Sequence, residues 1–241
     1  MTGALLYRWP AAAKFGRVVP KTKFYERTTV SAKTRGKFVA EVQRITWAYK
    51  LADATIHLHG NAAVPEIQVF VIDAKDDDVS DDVFTAIDKA VQFPIIFELN
   101  RGSGAQARTR MVAAHKQLDG PKPRLSAYFS TVWQSADAPR VPLPLALDLP
   151  ALYAGLLAPV LPIAARPGER LLETTARMEQ ARKVEREIAA LERRLRTELQ
   201  LNRKVELRRE LRDRTAILTA LTALAAPNAP NAVERETSWT S

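Results

Sequence analysis

The chain has no cysteine. That excludes disulfides, zinc–thiolate sites, iron–sulfur clusters and thiol nucleophiles. A reducing, cytoplasmic setting is the simplest expectation. No apolar run reaches the roughly 18 residues that cross a bilayer, so no membrane span is expected. Residues 1–8 lack a charged leader followed by an apolar stretch, so no signal peptide is expected either. Glycine is scarce, nine in 241 residues, and between Arg170 and Leu224 there is neither glycine nor proline. A helix of that length cannot be stable alone. It must pack on itself, on a partner or on the domain before it.

What is present is enough to fold. Hydrophobic residues make up 46% of the chain, which supports a core and argues against global disorder. The length suits one medium domain with an appendage. Charge is unevenly placed. Residues 1–50 carry 11 Lys/Arg against two Glu, whereas residues 51–100 carry two Lys against ten acids. Residues 101–150 and 167–224 are each basic by four. This separation predicts one basic and one acidic surface, and a basic surface attracts phosphate. The net charge of +9 is equally that of an ordinary, slightly basic soluble protein.

In residues 1–30, Pro10, Gly16 and Pro20 argue against a long helix. Basic and aromatic residues alternate there, a mixture that suits nucleic acid: cations on phosphates, rings on bases. The aromatics equally suit anchors to a core. Ser31 reads as the N-cap of a helix running to about Tyr49, with Phe38, Val42, Ile45 and Tyr49 on one stripe. Lys33, Lys37 and Arg44 then share a flank. Residues 54–59 read as a strand with His57 and His59 on one face, a weak metal candidate with His115 as a third ligand. Residues 66–73 are the clearest strand, apolar on both faces in the second half and so central. Ser80 caps the next helix, with Asp81 and Asp82 in its first turn and Phe84, Ile87 and Val91 facing the core. Residues 94–99 form another strand, and Arg101–Gly102–Ser103–Gly104 reads as a hairpin loop before a strand over 107–115. Residues 125–133 read as the last strand.

The expected fold is α+β. A mostly antiparallel or mixed sheet, with helices on one side, occupies residues 1–165. A helical arm follows over 166–226, then a polar tail over 227–241. In the arm, Met178, Ala181, Val184, Ile188, Leu191, Leu195 and Leu199 form a heptad-like seam. The phase slips at 200–204, and a second run resumes at Leu207, Leu211, Leu218 and Leu221. Either a continuous helix about 83 Å long carries a stutter, or the chain turns near Asn202 into an antiparallel hairpin. The hairpin is preferred, because the second run then covers the first.

Two sets of side chains carry possible chemistry. The basic set is Lys14, Arg17, Lys21, Lys23, Lys33, Lys37 and Arg44, with Arg203, Lys204, Arg208 and Arg209 in the arm; these fit phosphate contacts. The acidic set is Asp73 and Lys75, an Asp-x-Lys at a strand end, with Glu66 or Glu41 as further ligands. Such a set resembles a metal-dependent nuclease core, in which carboxylates hold a divalent ion and lysine steadies the attacking water. Seven residues separate Asp73 from Glu66, which favours opposite sheet faces.

Several stretches together carry a family resemblance. They are Trp9–Pro10 with Lys14–Phe15–Gly16, the run from Ile45 to Leu51, Glu66 to Phe70, Pro94 to Leu99, Leu143 to Leu149 and Asn202 to Leu207. On these residues the chain resembles the bacterial domain of unknown function family 4391 (DUF4391) along nearly its whole length. The resemblance implies a prokaryotic cytoplasmic protein. It also implies the company of helicases and DNA methyltransferases in restriction-type, antiviral defence loci. It supplies no catalytic residue and implies no cofactor. The expected function is therefore a non-enzymatic accessory subunit. Its basic face would meet DNA, and its arm would dock a helicase, a methyltransferase or a second copy. A metal-dependent nuclease and a purely structural coiled-coil protein are the alternatives.

Overall fold

The structure, a computed structural model, describes residues 5–118 and 123–224. The expected tail over 227–241 lies outside them. The chain divides into two units, Met1–Pro162 and Ile163–Ser241.

The first unit is α+β. Two short elements open it: β1 (Leu6–Tyr7) and β2 (Lys14–Val18). Helices α1 (Thr22–Arg27) and α2 (Ala32–Glu41) follow, then β3 (Val42–Leu51), a single-turn α3 (Asp53–Ile56) and β4 (Ile67–Ala74). Helix α4 (Asp81–Ala90) crosses over to β5 (Ile95–Arg101), and a hairpin leads to β6 (Arg108–Ala113). Five two-residue strands come next: β7 (Lys116–Gln117), β8 (Arg124–Leu125), β9 (Phe129–Ser130), β10 (Gln134–Ser135) and β11 (Arg140–Val141), before α5 (Leu149–Leu157). The main sheet runs β10-β6-β5-β4-β3-β2, with β9 also on β6. All its pairs are antiparallel except β4 with β5. The expected mixed sheet with helices is what forms. Phe24 of α1, Phe38 of α2 and Val83, Phe84 and Ile87 of α4 share one core with Ile45, Phe70, Ile72, Phe97 and Leu99 of the sheet.

Three expectations need correction. The helix from Ser31 stops at Glu41, and the chain enters β3 at Val42 without a break. Ser31 is the N-cap, its hydroxyl accepting the Thr34 N–H at 3.1 Å. The error has a physical source. β3 shifts register against β4 between Val42 and Arg44 and again between Trp47 and Tyr49. Each bulge inserts a residue and resets the alternation. Val42, Ile45, Ala48 and Leu51 are therefore the buried positions, a period of three that imitates a helix. Residues 54–59 are not a strand. The Thr55 hydroxyl bonds the Lys50 and Ala52 carbonyls at 2.8 and 3.0 Å and closes a helical turn, and His57 ends it at φ 55°. Residues 125–133 are not one strand either. Only Leu125 and Phe129–Ser130 pair, in β8 and β9, and between them the Ser126 hydroxyl accepts the His115 N–H at 2.9 Å.

Helix α4 is held at both ends. At its start the Glu41 carboxylate receives the Ser80 N–H at 2.8 Å. At its end lies Lys116, a lysine only 2% exposed. Its Nζ reaches the Asp88, Val91 and Phe93 carbonyls at 2.6, 2.7 and 3.0 Å and the Asp88 carboxylate at 3.1 Å. Tyr128 donates to the other Asp88 oxygen at 2.6 Å. Burial pushes the Asp88 carboxyl up and the Lys116 amine down, and their mutual attraction opposes both shifts.

The second unit is an antiparallel hairpin of α6 (Leu171–Thr197) and α7 (Leu201–Thr222), with Met178, Ala181, Val184, Leu191 and Leu207 buried. The turn needs no glycine, because Glu198 Oε1 accepts the Leu199 and Gln200 N–H groups at 2.9 and 3.0 Å. Arginines close the other end. Arg177 donates to the Leu221 carbonyl at 2.6 Å and forms a two-pronged pair with Glu169, both bonds 2.7 Å. Arg166 bonds the Ala220 and Ala223 carbonyls. Among the described residues no helix is long and apolar enough to cross a membrane.

Two outcomes follow. Lys116→Met leaves the Asp88 charge unpaired and three carbonyls without their donor. It should cost about 3 kcal/mol or more in urea denaturation. In the arm, bonding from Arg177 holds the Glu169 carboxyl at about 2, below its ordinary 4.5. A depressed carboxylate stabilises above its unfolded pKa, so this contribution is intact above about pH 4.5 and lost as pH falls toward 2. Circular dichroism through that window should show wild-type helicity falling, and Arg177→Gln should remove that part of the acid sensitivity.

Candidate nucleic-acid interface

Of the seven basic candidates in the first unit, three have structural occupations. The Lys21 ammonium bonds the Phe38 carbonyl at 2.9 Å and the Val42 carbonyl, stitching α1 to the junction of α2 and β3. Lys37 pairs with Asp82. Arg44 pairs with Asp73 at 2.8 Å. The expected flank of Lys33, Lys37 and Arg44 therefore does not exist. Arg44 belongs to β3, and only Lys33 of the three is without an ion pair among the described residues.

The other three gather near one sheet edge. β2 ends the sheet and pairs only with β3. Its Lys14 and Arg17 are exposed and make no ion pair among the described residues. Gly16 at φ 67° and a register shift between Lys14 and Arg17 bend this edge, which hinders edge-to-edge pairing with another chain. Arg17 lies over the Phe15 ring at 4.9 Å. Phe15 meets Trp47 at 4.1 Å, and Trp47 lies 9° from parallel to Phe70. A guanidinium and three rings thus run from the edge into the core. Lys23 sits beside them on α1, in an exposed pair with Glu26 at 3.1 Å. Behind this edge is a cavity of about 390 Å³ lined by Lys23, Phe24, Trp47, Gln68, Phe70 and Phe93 among others.

On the second unit, Arg203, Lys204, Arg208 and Arg209 lie along α7, all but Lys204 exposed and none in an ion pair among the described residues. At 3.6 residues per turn they spread over about 240° of the helix and do not share one face.

The acidic set does not converge. Phe70 and Ile72 face the helices, so Glu66 and Gln68 share their side of β4 and Asp73 points to the other. Glu66 and Asp73 also stand at opposite ends of the strand, about 23 Å apart at ~3.3 Å per residue. Glu66 pairs with Lys50 at 2.8 Å. Asp73 accepts from Arg44 and from Asn100 at 3.0 Å. The Lys75 ammonium bonds the Val39 carbonyl at 2.6 Å, and Glu41 caps α4. Glu66 and Asp73 therefore cannot ligate one cation, and Lys75 and Glu41 are engaged with Val39 and Ser80. The histidine candidates fail with the strand that joined them. His59 pairs with Asp53 at 2.8 Å, His57 sits in a left-handed turn, and the buried His115 is tied through its backbone N–H to Ser126 at 2.9 Å. No group of three potential ligands for a metal occurs among the described residues.

One cluster had no signal in the sequence. Arg101 and Arg110 lie over the Trp133 ring at 4.3 and 4.6 Å. They also pair with Asp77 and Asp78, the acidic run after β4. Only the basic surplus of residues 101–150 hinted that the acidic run would be answered from there.

Geometry thus defines an α+β domain with an edge-strand basic patch, joined to a helical hairpin arm. The chain belongs to the DUF4391 family, a domain of unknown function, matched over residues 8–218. No curated protein and no solved structure gives a significant match.

Proposed function

We propose that this protein is a non-enzymatic accessory subunit that binds nucleic acid at the β2–α1 edge and along α7. One observation carries the reading. Most cations of the first unit are consumed by carboxylates or carbonyls, whereas Lys14 and Arg17 remain exposed beside a run of rings. Unneutralised charge beside aromatic faces is the combination that holds a phosphate backbone and stacks bases. Company with helicases or methyltransferases in a defence locus is compatible with this role. Such a subunit would position DNA rather than cut it.

The arm has a second role, assembly. Leu201 and Val205 stand 72% and 57% exposed on α7, away from the seam that faces α6. Exposed leucine and valine one turn apart suit burial against the arm of a second copy.

The double variant Lys14→Glu, Arg17→Glu should weaken binding of a DNA duplex across a salt series. It should also reduce the slope of log K against log salt by about 2. Unchanged affinity would remove the edge from the interface. Sedimentation should show a dimer that Leu201→Glu with Val205→Glu converts to monomer. A monomeric wild type would sink the assembly role.

A further inference from the structure

We propose that the cavity behind the β2 edge binds a single unstacked nucleobase, with the attached phosphate on Lys23. For the source of that base, the proposal rests on the nucleic-acid reading above. At about 390 Å³ the space is at the small end of ligand sites. Phe24, Trp47, Phe70 and Phe93 line it; Phe24 and Phe70 are core residues, and the half-buried Trp47 and Phe93 are the rings with surface to offer a planar group. Aliphatic ligands would need no such choice of rings.

The polar element decides the class. Gln68 lines the cavity and is only 4% exposed. Its Nε2 donates to Glu66 Oε1 at 2.8 Å, and Glu66 Oε2 accepts from Lys50 at 2.8 Å. Glu66 is itself 6% exposed. A carboxylate and an amide are thus buried on the sheet face where their neighbours are Phe70 and Ile72. Burying them costs free energy that an apolar pair would not, so packing does not explain them. What the relay does is hold the Gln68 side chain in one orientation at the cavity wall. The amide keeps a carbonyl oxygen and a second N–H, a donor and an acceptor side by side. A glutamine amide in that state matches the paired donor and acceptor on a base edge.

Lys23 stands at the rim, its side chain 60% exposed. Its pair with Glu26 is a surface one and is weak enough for a phosphate to displace. Val19 also lines the cavity, and it follows directly on β2. A strand lying on Lys14 and Arg17 therefore passes the opening. A base within a duplex is stacked on both faces and cannot enter the cavity, so the site requires single-stranded or locally opened nucleic acid.

The test uses the full chain, its variant Gln68→Met, and three probes. These are a single strand carrying 2-aminopurine, a duplex of the same length, and adenosine monophosphate. Expected are tighter binding of the single strand than of the duplex by tenfold or more, and quenching of the 2-aminopurine by ring stacking. Gln68→Met should remove about tenfold of that preference and leave duplex affinity unchanged. The exposed variant Lys23→Glu gives an independent check, reducing the same preference without touching the core. Adenosine monophosphate bound in a Gln68-dependent manner, without single-strand preference, would support the cavity as a base site and assign it to free nucleotides. Salt-dependent duplex binding with no single-strand preference, no quenching and no nucleotide binding would overturn the cavity proposal and leave the edge interface standing. No binding of any probe at low salt would overturn both.

Discussion

A buried ammonium organises the first unit. Lys116 ends the hydrogen-bonding deficit of the last turn of α4, where carbonyls have no intrahelical partner. It does so from the segment that follows β6, so the crossover helix is fastened to that segment. α4 is the connection that makes β4 and β5 parallel, the one parallel pair in the main sheet. With Glu41 at its start and Lys116 at its end, its position is fixed by charge-assisted bonds at both termini. The same ammonium holds the Val91 and Phe93 carbonyls, and both residues wall the aromatic cavity. One wall of the cavity is therefore held by a lysine on another element.

The placement of charge follows from this economy of partners. The acidic second quarter does not form a free acidic surface. Asp73, Asp77, Asp78, Asp82 and Asp88 each meet a cation, and those cations come from the basic quarters on either side. Among the cations the acids leave over are those of the basic edge. Lys14 and Arg17 sit on the outermost strand, where no carboxylate of the sheet reaches them.

The fold was legible where one physical signal dominated. β4 and β5 are apolar runs bounded by turns, α4 has its acidic first turn, and the hairpin arm has two apolar runs that cover each other. It was not legible where local chemistry overrode the pattern. The bulges in β3 turned a strand into a helix-like period, and one threonine hydroxyl turned an alternating segment into a helical turn at Thr55. The arm's turn carries neither glycine nor proline, because Glu198 supplies the missing acceptor from its own side chain. In the candidate interface, residue type proposed Lys14, Arg17 and Lys23 as candidates. It could not separate them from Lys21, Lys37 and Arg44, whose partners lie 17 to 45 positions away. Lys116 and Gln68 had no signal at all. A lysine and a glutamine read as surface residues until tertiary contacts bury them.

Gln68 and Lys116 differ in what their burial accomplishes. Lys116 meets four oxygens that would otherwise be unsatisfied, so its desolvation is offset by bonds the fold requires. Gln68 and Glu66 satisfy chiefly each other and Lys50, and among the described residues no backbone group bonds to their side chains. A valine at 68 would serve the sheet face beside Phe70 at lower cost. A buried polar relay that the fold can do without, and that ends at a cavity wall, is the arrangement by which a protein orients a hydrogen-bonding group toward a ligand.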